Sequence, residues 1–236
     1  MRPSGTVHRA TAHAPVTDPR DARRRLQLLY FRTHGCILVP DVLSGAQLLR
    51  VRAAYDRVVQ TEREQWEAAD PSERGAAFAP NLAGASIFEL ENDLLDVIDP
   101  PRLLPLLSQC LGEDLEIRQV QTRFDPPGNL GSMAPGSAAH DEATADKKTV
   151  LGWHRDRPNY HNNATGRSMW LKVFIYFYDV AEDGAPTALV PQTHLSDLHP
   201  RVLPDEVQAD NMPGHIRAAG RAGTALLFGE CVRQTG

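Results

Sequence analysis

The spacing of apolar positions changes once along the chain, near residue 112. Before it they recur every three to four residues, as a helix that buries one stripe requires. Asp18-Pro19 supplies an N-cap and an N1 proline. Leu26, Leu29 and Tyr30 follow at helical spacing and Gly35 supplies a stop, so a first helix is predicted through His34. The apolar run 36–39 before Pro40 reads as a short buried strand. Ser44 then caps a long amphipathic helix with apolar positions at Leu48, Val51, Tyr55, Val58 and Val59. Beyond a Pro/Ser/Gly/Ala loop at 70–84, helices are predicted over 88–98 and 100–111, the second opened by Asp99-Pro100 and closed by Gly112.

The second half reads as strands. Stretches 115–124, 150–156, 169–180, 188–191 and 224–228 are β-rich and separated by Gly, Pro, Asn and Asp. No helical pattern intervenes, which excludes a doubly wound parallel sheet and predicts an α+β fold with an antiparallel barrel or jelly roll. The loop 125–148 greatly exceeds the usual connection of about 4–6 residues and is expected to be a lid. Residues 1–17 show no periodicity and are expected to be a disordered tail. The predicted organisation is one domain over 18–236, mainly helical at 18–112 and a β-barrel at 113–236.

Composition narrows the function classes. With 236 residues, 42% hydrophobic and 23% charged, the chain can build one core without disulfides or a structural metal. Cys36, Cys110 and Cys231 form no C-x-x-C pair, so they read as reduced thiols of a cytoplasmic protein and not as a zinc knuckle. A net charge of −5 provides no basic surplus for phosphate binding, and nucleic acid is not an expected partner. Arg23-Arg24-Arg25 lies within a helical pattern and reads as a solvated face. No apolar run approaches the roughly 20 residues that span a bilayer, and Lys172 interrupts the longest stretch, so no membrane partner is expected.

The chemistry concentrates in Trp153-His154-Arg155-Asp156. On a strand, residues i and i+2 share a face, so His154 and Asp156 would emerge side by side as a two-point metal grip. H-x-D alone is common in sequences, and a structural role is the plainer reading of it. Gln119, Gln121, Arg123 and Asp125 would likewise form a polar row, for which an exposed edge is the plain explanation. A metal hydrolase is disfavoured because no HExxH or second carboxylate–histidine cluster accompanies the pair.

The order WHRD, then WLKVFIYFYDVAEDGAPTALVPQTH, together with the opening FRTHGCILVPDVLSGAQLLRVRAAYD, resembles the phytanoyl-CoA dioxygenase-like family of Fe(II)- and 2-oxoglutarate-dependent oxygenases, over residues 26–230. The resemblance implies a double-stranded β-helix (a cupin-like jelly roll) buttressed by N-terminal helices. His154 and Asp156 become catalytic metal ligands, two members of a 2-His-1-carboxylate triad that leaves positions open for a chelating 2-oxo acid and O₂. Gln121 and Arg123 become cofactor-binding residues, a guanidinium being suited to carboxylates. His194 matches that family's histidine after a Val-Pro pair, at a structural or pocket-rim position; Tyr160 and His161, in the loop just after the H-x-D pair, are expected with Trp153 in a small-molecule substrate pocket, a solvated loop being the equal alternative for His161. His199 and His215 are expected at the surface.

The sequence departs from that family near its end. Residues 223–228 resemble the strand before the distal metal histidine, yet Gln234 stands where that histidine is expected, and no histidine follows His215. Residues 231–236 look unlike a barrel strand, so the last strand or strands, with the arginine that holds 2-oxoglutarate, are expected to be missing. An exposed sheet edge that invites dimerisation would follow. The family reading is then a hydroxylase of a small molecule, inactive or crippled in residues 1–236. The alternative is a non-catalytic barrel that binds a ligand or partner.

Overall fold

The computed structural model describes residues 18–70, 81–83, 86–117, 119–123, 170–182, 186–195, 212–229 and 232–235. The tail at 1–17, the 125–148 loop and the segment carrying WHRD lie outside these residues.

Local chemistry sets the first elements. Helix α1 (Pro19–His34) begins where the Asp18 carboxylate accepts from the Arg20 N–H at 2.8 Å. It ends at Gly35, whose left-handed conformation (φ 76°) lets its N–H donate to the Phe31 carbonyl at 2.7 Å. Strand β1 (Cys36–Val39) follows. Helix α2 (Gly45–Ala68) opens on a reciprocal capping box: the Ser44 hydroxyl accepts from the Gln47 N–H and the Gln47 side chain accepts from the Ser44 N–H. Its buried stripe is Val51, Ala54, Tyr55 and Val58, spaced as one helical face.

Tertiary contacts override two local expectations. The stripe expected to bury α1 faces outward, with Leu26 67%, Leu29 62% and Tyr30 47% exposed, whereas Phe31 is 6% exposed. Gly35 fixes the chain's exit into β1, and that exit rotates Phe31 and Leu28 onto the core. The helix expected over 88–98 is split into α3 (Ser86–Leu90) and a 3-10 helix (Asn92–Val97), with Glu91 in extended conformation between them. Glu91 is drawn into a bidentate pair with Arg57 of α2 (2.6 and 2.7 Å), and Asn92-Asp93 are weak helix formers. That pair holds the Glu91 carboxyl below its ordinary range. Beyond the break, α4 runs Leu104–Leu111, after a turn in which the Pro100 carbonyl accepts from the N–H groups of Leu103 and Leu104.

The strands pair antiparallel throughout the described residues. β1, β7 (Ala225–Gly229) and β4 (Leu171–Ile175) make the main sheet in the order β1-β7-β4. A second sheet has the order β6-β5-β8, from β6 (Ile216–Arg217), β5 (Ala188–Val190) and β8 (Arg233–Thr235). β2 (Asn81–Ala83) and β3 (Gln121–Arg123) form a separate ladder. The strands expected over 115–124 and 169–180 are therefore shorter than their β-rich stretches. The expectation for the C-terminal residues is corrected outright: Arg233–Thr235 do form a strand, in register with β5. Short polar strands carry no apolar alternation, so their pairing is set by the partner.

The main sheet is buried on both faces. Ile37, Val39, Ala225, Leu227, Leu171, Val173 and Ile175 pack into one core with Phe31, Val51, Tyr55, Val58, Leu94 and Leu106 of the helical layer. The residues of opposite parity, Cys36, Leu38, Leu226, Phe228, Phe174 and Tyr176, pack with Leu189, Ala218 and Val232 at the second sheet. The outer end of β4 is tied to α2, where Arg52 donates to the Phe177 carbonyl at 2.9 Å and lies 4.7 Å over the Tyr178 ring. Tyr178 also bonds Asp56; burial first, and then this hydrogen bond, push its hydroxyl up to about 12.

Two predictions follow from this layering. Leu227→Ala, at a position with 0% exposure, is expected to lower unfolding free energy by about 2–5 kcal/mol. Leu26→Ala on the exposed stripe should change it by less than about 0.5 kcal/mol; denaturant unfolding compares them, and equal losses would contradict the observed rotation of α1. Burial also raises the thiols of Cys36 and Cys110 to about 11, for Cys110 with partial opposition from Arg32. Alkylation at pH 8 mapped by peptide mass should leave both unmodified until denaturant is added, and rapid native labelling of Cys36 would contradict its place in the core.

Candidate active site

A site on this scaffold has to be built on the inner faces, because a strand side chain points either at the helices or at the opposite sheet. Phe228 of β7 stands between Cys36 of β1 and Lys172 of β4, and Leu226 stands between Leu38 and Phe174. These rows share parity, and the apolar members pack between the sheets. Lys172 therefore leaves the main sheet on the inner face, beside Phe228, and is half-buried.

Tyr176 bridges the two sheets at the other end of this face. Its hydroxyl donates to the Ala218 carbonyl at 2.6 Å, and burial pushes the phenol up to about 12. A Cβ on Gly220 would lie 3.3 Å from the Tyr176 ring, a tight approach that glycine avoids. Tyr176 therefore holds the sheets at a set spacing. On the β1 side an open apolar groove at the surface is lined by Leu26, Tyr30, Leu38, Ile216, Ala218 and Leu226, with Arg23 also contributing.

The Val190-Pro191-Gln192-Thr193-His194 turn docks on the corner between α1 and β1. Gln192, at φ 68°, donates from its backbone to the His34 carbonyl at 2.8 Å, and the Thr193 hydroxyl donates to the Val190 carbonyl at 2.7 Å. His194 Nε2 lies 3.1 Å from the Arg32 carbonyl. A carbonyl can only accept, so this nitrogen carries the hydrogen. The imidazole packs on Gly35 so closely that a Cβ there would come within 2.4 Å of His194 Nδ1. His194 thus buttresses the corner where the helical layer turns into the main sheet.

The remaining expected residues are distributed as follows. His154, Asp156, Trp153, Tyr160 and His161 lie outside the described residues, as does His199. Gln121 is exposed, with its Cα opposite Ala83, and Arg123 is opposite Asn81, both on the β2–β3 ladder. Gln234 holds the register position opposite Leu189, whose side chain belongs to the inter-sheet core. His215 is half-buried, with Nδ1 2.8 Å from the Met212 carbonyl. Among the described residues, no three His, Cys, Asp or Glu side chains gather to hold a metal ion, and no helix is long and apolar enough to cross a membrane. Sequence reasoning missed Tyr176 as the bridge between the sheets, a position that strand parity on β4 signals.

A family model described as phytanoyl-CoA dioxygenase (PhyH) matches residues 31–232. No curated protein matches the chain by sequence. Among solved structures, EctD from S. alaskensis with bound Fe aligns with a TM-score of 0.61 and 17% identity, covering 89% of this chain and 69% of that one. AviO1 from Streptomyces viridochromogenes Tue57 aligns with a TM-score of 0.61 and 15% identity, covering 89% and 86%. The non-heme alpha ketoglutarate dependent carbocyclase SnoK from nogalamycin biosynthesis gives 0.57 and 16%, covering 88% and 74%. These likenesses establish a shared mixed α+β fold.

Gly35→Ala should be among the most destabilising single-methyl additions in the chain, because the left-handed backbone and the His194 ring both oppose it. The left-handed backbone alone accounts for at least about 1 kcal/mol. Adding His194→Ala to Gly35→Ala should recover part of the loss, since it removes the contacts with the ring while the approach of Val232 Cγ2 at 2.8 Å and the backbone cost remain. A double-mutant cycle by denaturant unfolding reads this, and strictly additive losses would show that the ring does not rest on Gly35.

Proposed function

The chain belongs to the phytanoyl-CoA dioxygenase (PhyH) family, and from that premise we propose that it is an Fe(II)- and 2-oxoglutarate-dependent hydroxylase of a small organic molecule. The observation that carries the reading is the family match over 31–232, which includes His154 and Asp156. Two solved relatives support both cosubstrate and substrate size: EctD from S. alaskensis, described with bound Fe and, in another structure, with 2-oxoglutarate and 5-hydroxyectoine, and SnoK, described as alpha ketoglutarate dependent in nogalamycin biosynthesis.

The residues present fit such a centre. His154 and Asp156 provide imidazole and carboxylate donors, which suit non-heme iron(II). The described walls of the inter-sheet space are apolar and limit water, and position 234 stands in register with Leu189 of that core. When bound, the iron, with 2-oxoglutarate and O₂, supplies the oxidising chemistry for an aliphatic C–H bond. The chain's own tasks are to hold the metal with His154 and Asp156, and to contact substrate or cosubstrate with Gln121 and Arg123. Trp153, Tyr160 and His161 line the substrate side, and His194 supports the rim. An amide at 234 is a neutral and weaker donor than imidazole, so iron is held less firmly than by a complete triad.

Gln234 also favours a second reading, a barrel that binds a ligand without turning it over. Anaerobic titration with iron(II) and 2-oxoglutarate, followed by succinate release in air, separates the two. The hydroxylase reading expects a saturable visible charge-transfer band that His154→Ala abolishes, and at least about tenfold tighter iron(II) binding in Gln234→His, equivalent to 1.4 kcal/mol. Binding without succinate in both the natural chain and Gln234→His would favour the second reading. Absence of any band in either protein would reject the iron site.

A further inference from the structure

We propose that the outward face of helix α1 docks the protein peripherally on an anionic lipid surface. The inference goes beyond the oxygenase reading and is independent of it.

The rotation of α1 carries the inference. Phe31 and Leu28 take the core side of the helix, so Leu26, Leu29 and Tyr30, spaced three and four residues apart, form an exposed ridge on the opposite side. Ile216, itself exposed, continues the apolar surface across the groove beside Leu26 and Tyr30. Single exposed leucines need no explanation, but a contiguous apolar patch on one helix face marks an interaction site.

Charge identifies the occupant. α1 carries Arg20, Arg23, Arg24, Arg25 and Arg32 against Asp21 alone, in a chain whose net charge is −5. Asp21 is taken by Arg24 at 3.3 Å. By helical spacing Arg23 stands on one flank of the ridge, and Arg25 and Arg32 stand together on the other. All three are exposed, and none of them forms an ion pair among the described residues. The Arg23-Arg24-Arg25 run is therefore more than a solvated face, since its first and third members border apolar side chains.

An apolar ridge with arginines along both flanks is the arrangement of a helix lying in a membrane interface. Leucine and tyrosine side chains enter the boundary between headgroups and acyl chains, and guanidinium groups on long stems reach the phosphates. Such contact requires no spanning helix. A second copy of this chain would set arginine against arginine, and a nucleic-acid backbone would meet the arginines but leave the leucines in water.

The test is flotation of the full chain with vesicles of phosphatidylcholine alone and of equimolar phosphatidylcholine and phosphatidylserine. The natural chain should bind the anionic vesicles at least about tenfold more tightly than the neutral ones, and less tightly as salt is raised. Leu26→Ala combined with Leu29→Ala should weaken that binding by at least about tenfold. Arg23→Gln, Arg25→Gln and Arg32→Gln together should weaken it by about 100-fold, roughly fivefold for each arginine. Arg50→Gln, Arg102→Gln and Arg221→Gln together remove the same charge from other exposed positions and should bind much as the natural chain does. Thermal unfolding qualifies each variant, and Leu29→Ser alone carries the apolar comparison should the double variant not fold. Equal weakening in the control triple variant would overturn the proposal, because net charge alone would then account for binding. Undiminished binding of the leucine variants would overturn it as well. A natural chain that binds neither vesicle would overturn it and leave the face to an acidic protein partner.

Discussion

Everything in this molecule hangs on β7 being apolar on both faces. Ala225 and Leu227 close the helical core, Leu226 and Phe228 close the inter-sheet core, and the backbone between them pairs with β1 on one side and β4 on the other. A slip of one residue would exchange the two faces and set small Ala225 where Leu226 must fill the inter-sheet space. Register is therefore fixed by shape as well as by apolarity, and it determines which side of β4 carries Lys172.

The corner at Gly35 transmits that register to the helical layer. The left-handed turn ends α1, turns the chain into β1 and accepts the His194 ring, while the Gly35 carbonyl accepts from the Gly229 N–H at the end of β7. One glycine thus joins a helix end, a strand start and the loop after β5. The VPQTH motif belongs to this architecture: its histidine secures the joint between the layers, and its threonine closes the turn.

Features governed by local chemistry were legible in the sequence. Asp18-Pro19, Gly35 and Ser44 end or begin helices through contacts within a few residues, and each acts as read. The misread features depend on distant partners. The outward rotation of Leu26 and Leu29 is imposed by β1, and the break at Glu91 by Arg57 thirty-four residues earlier. β8 is a strand because β5 offers it an edge, and Arg-Gln-Thr carries no pattern to announce that. Lys172 does interrupt the apolar run, and in a sheet of period two it takes the parity of the inner face.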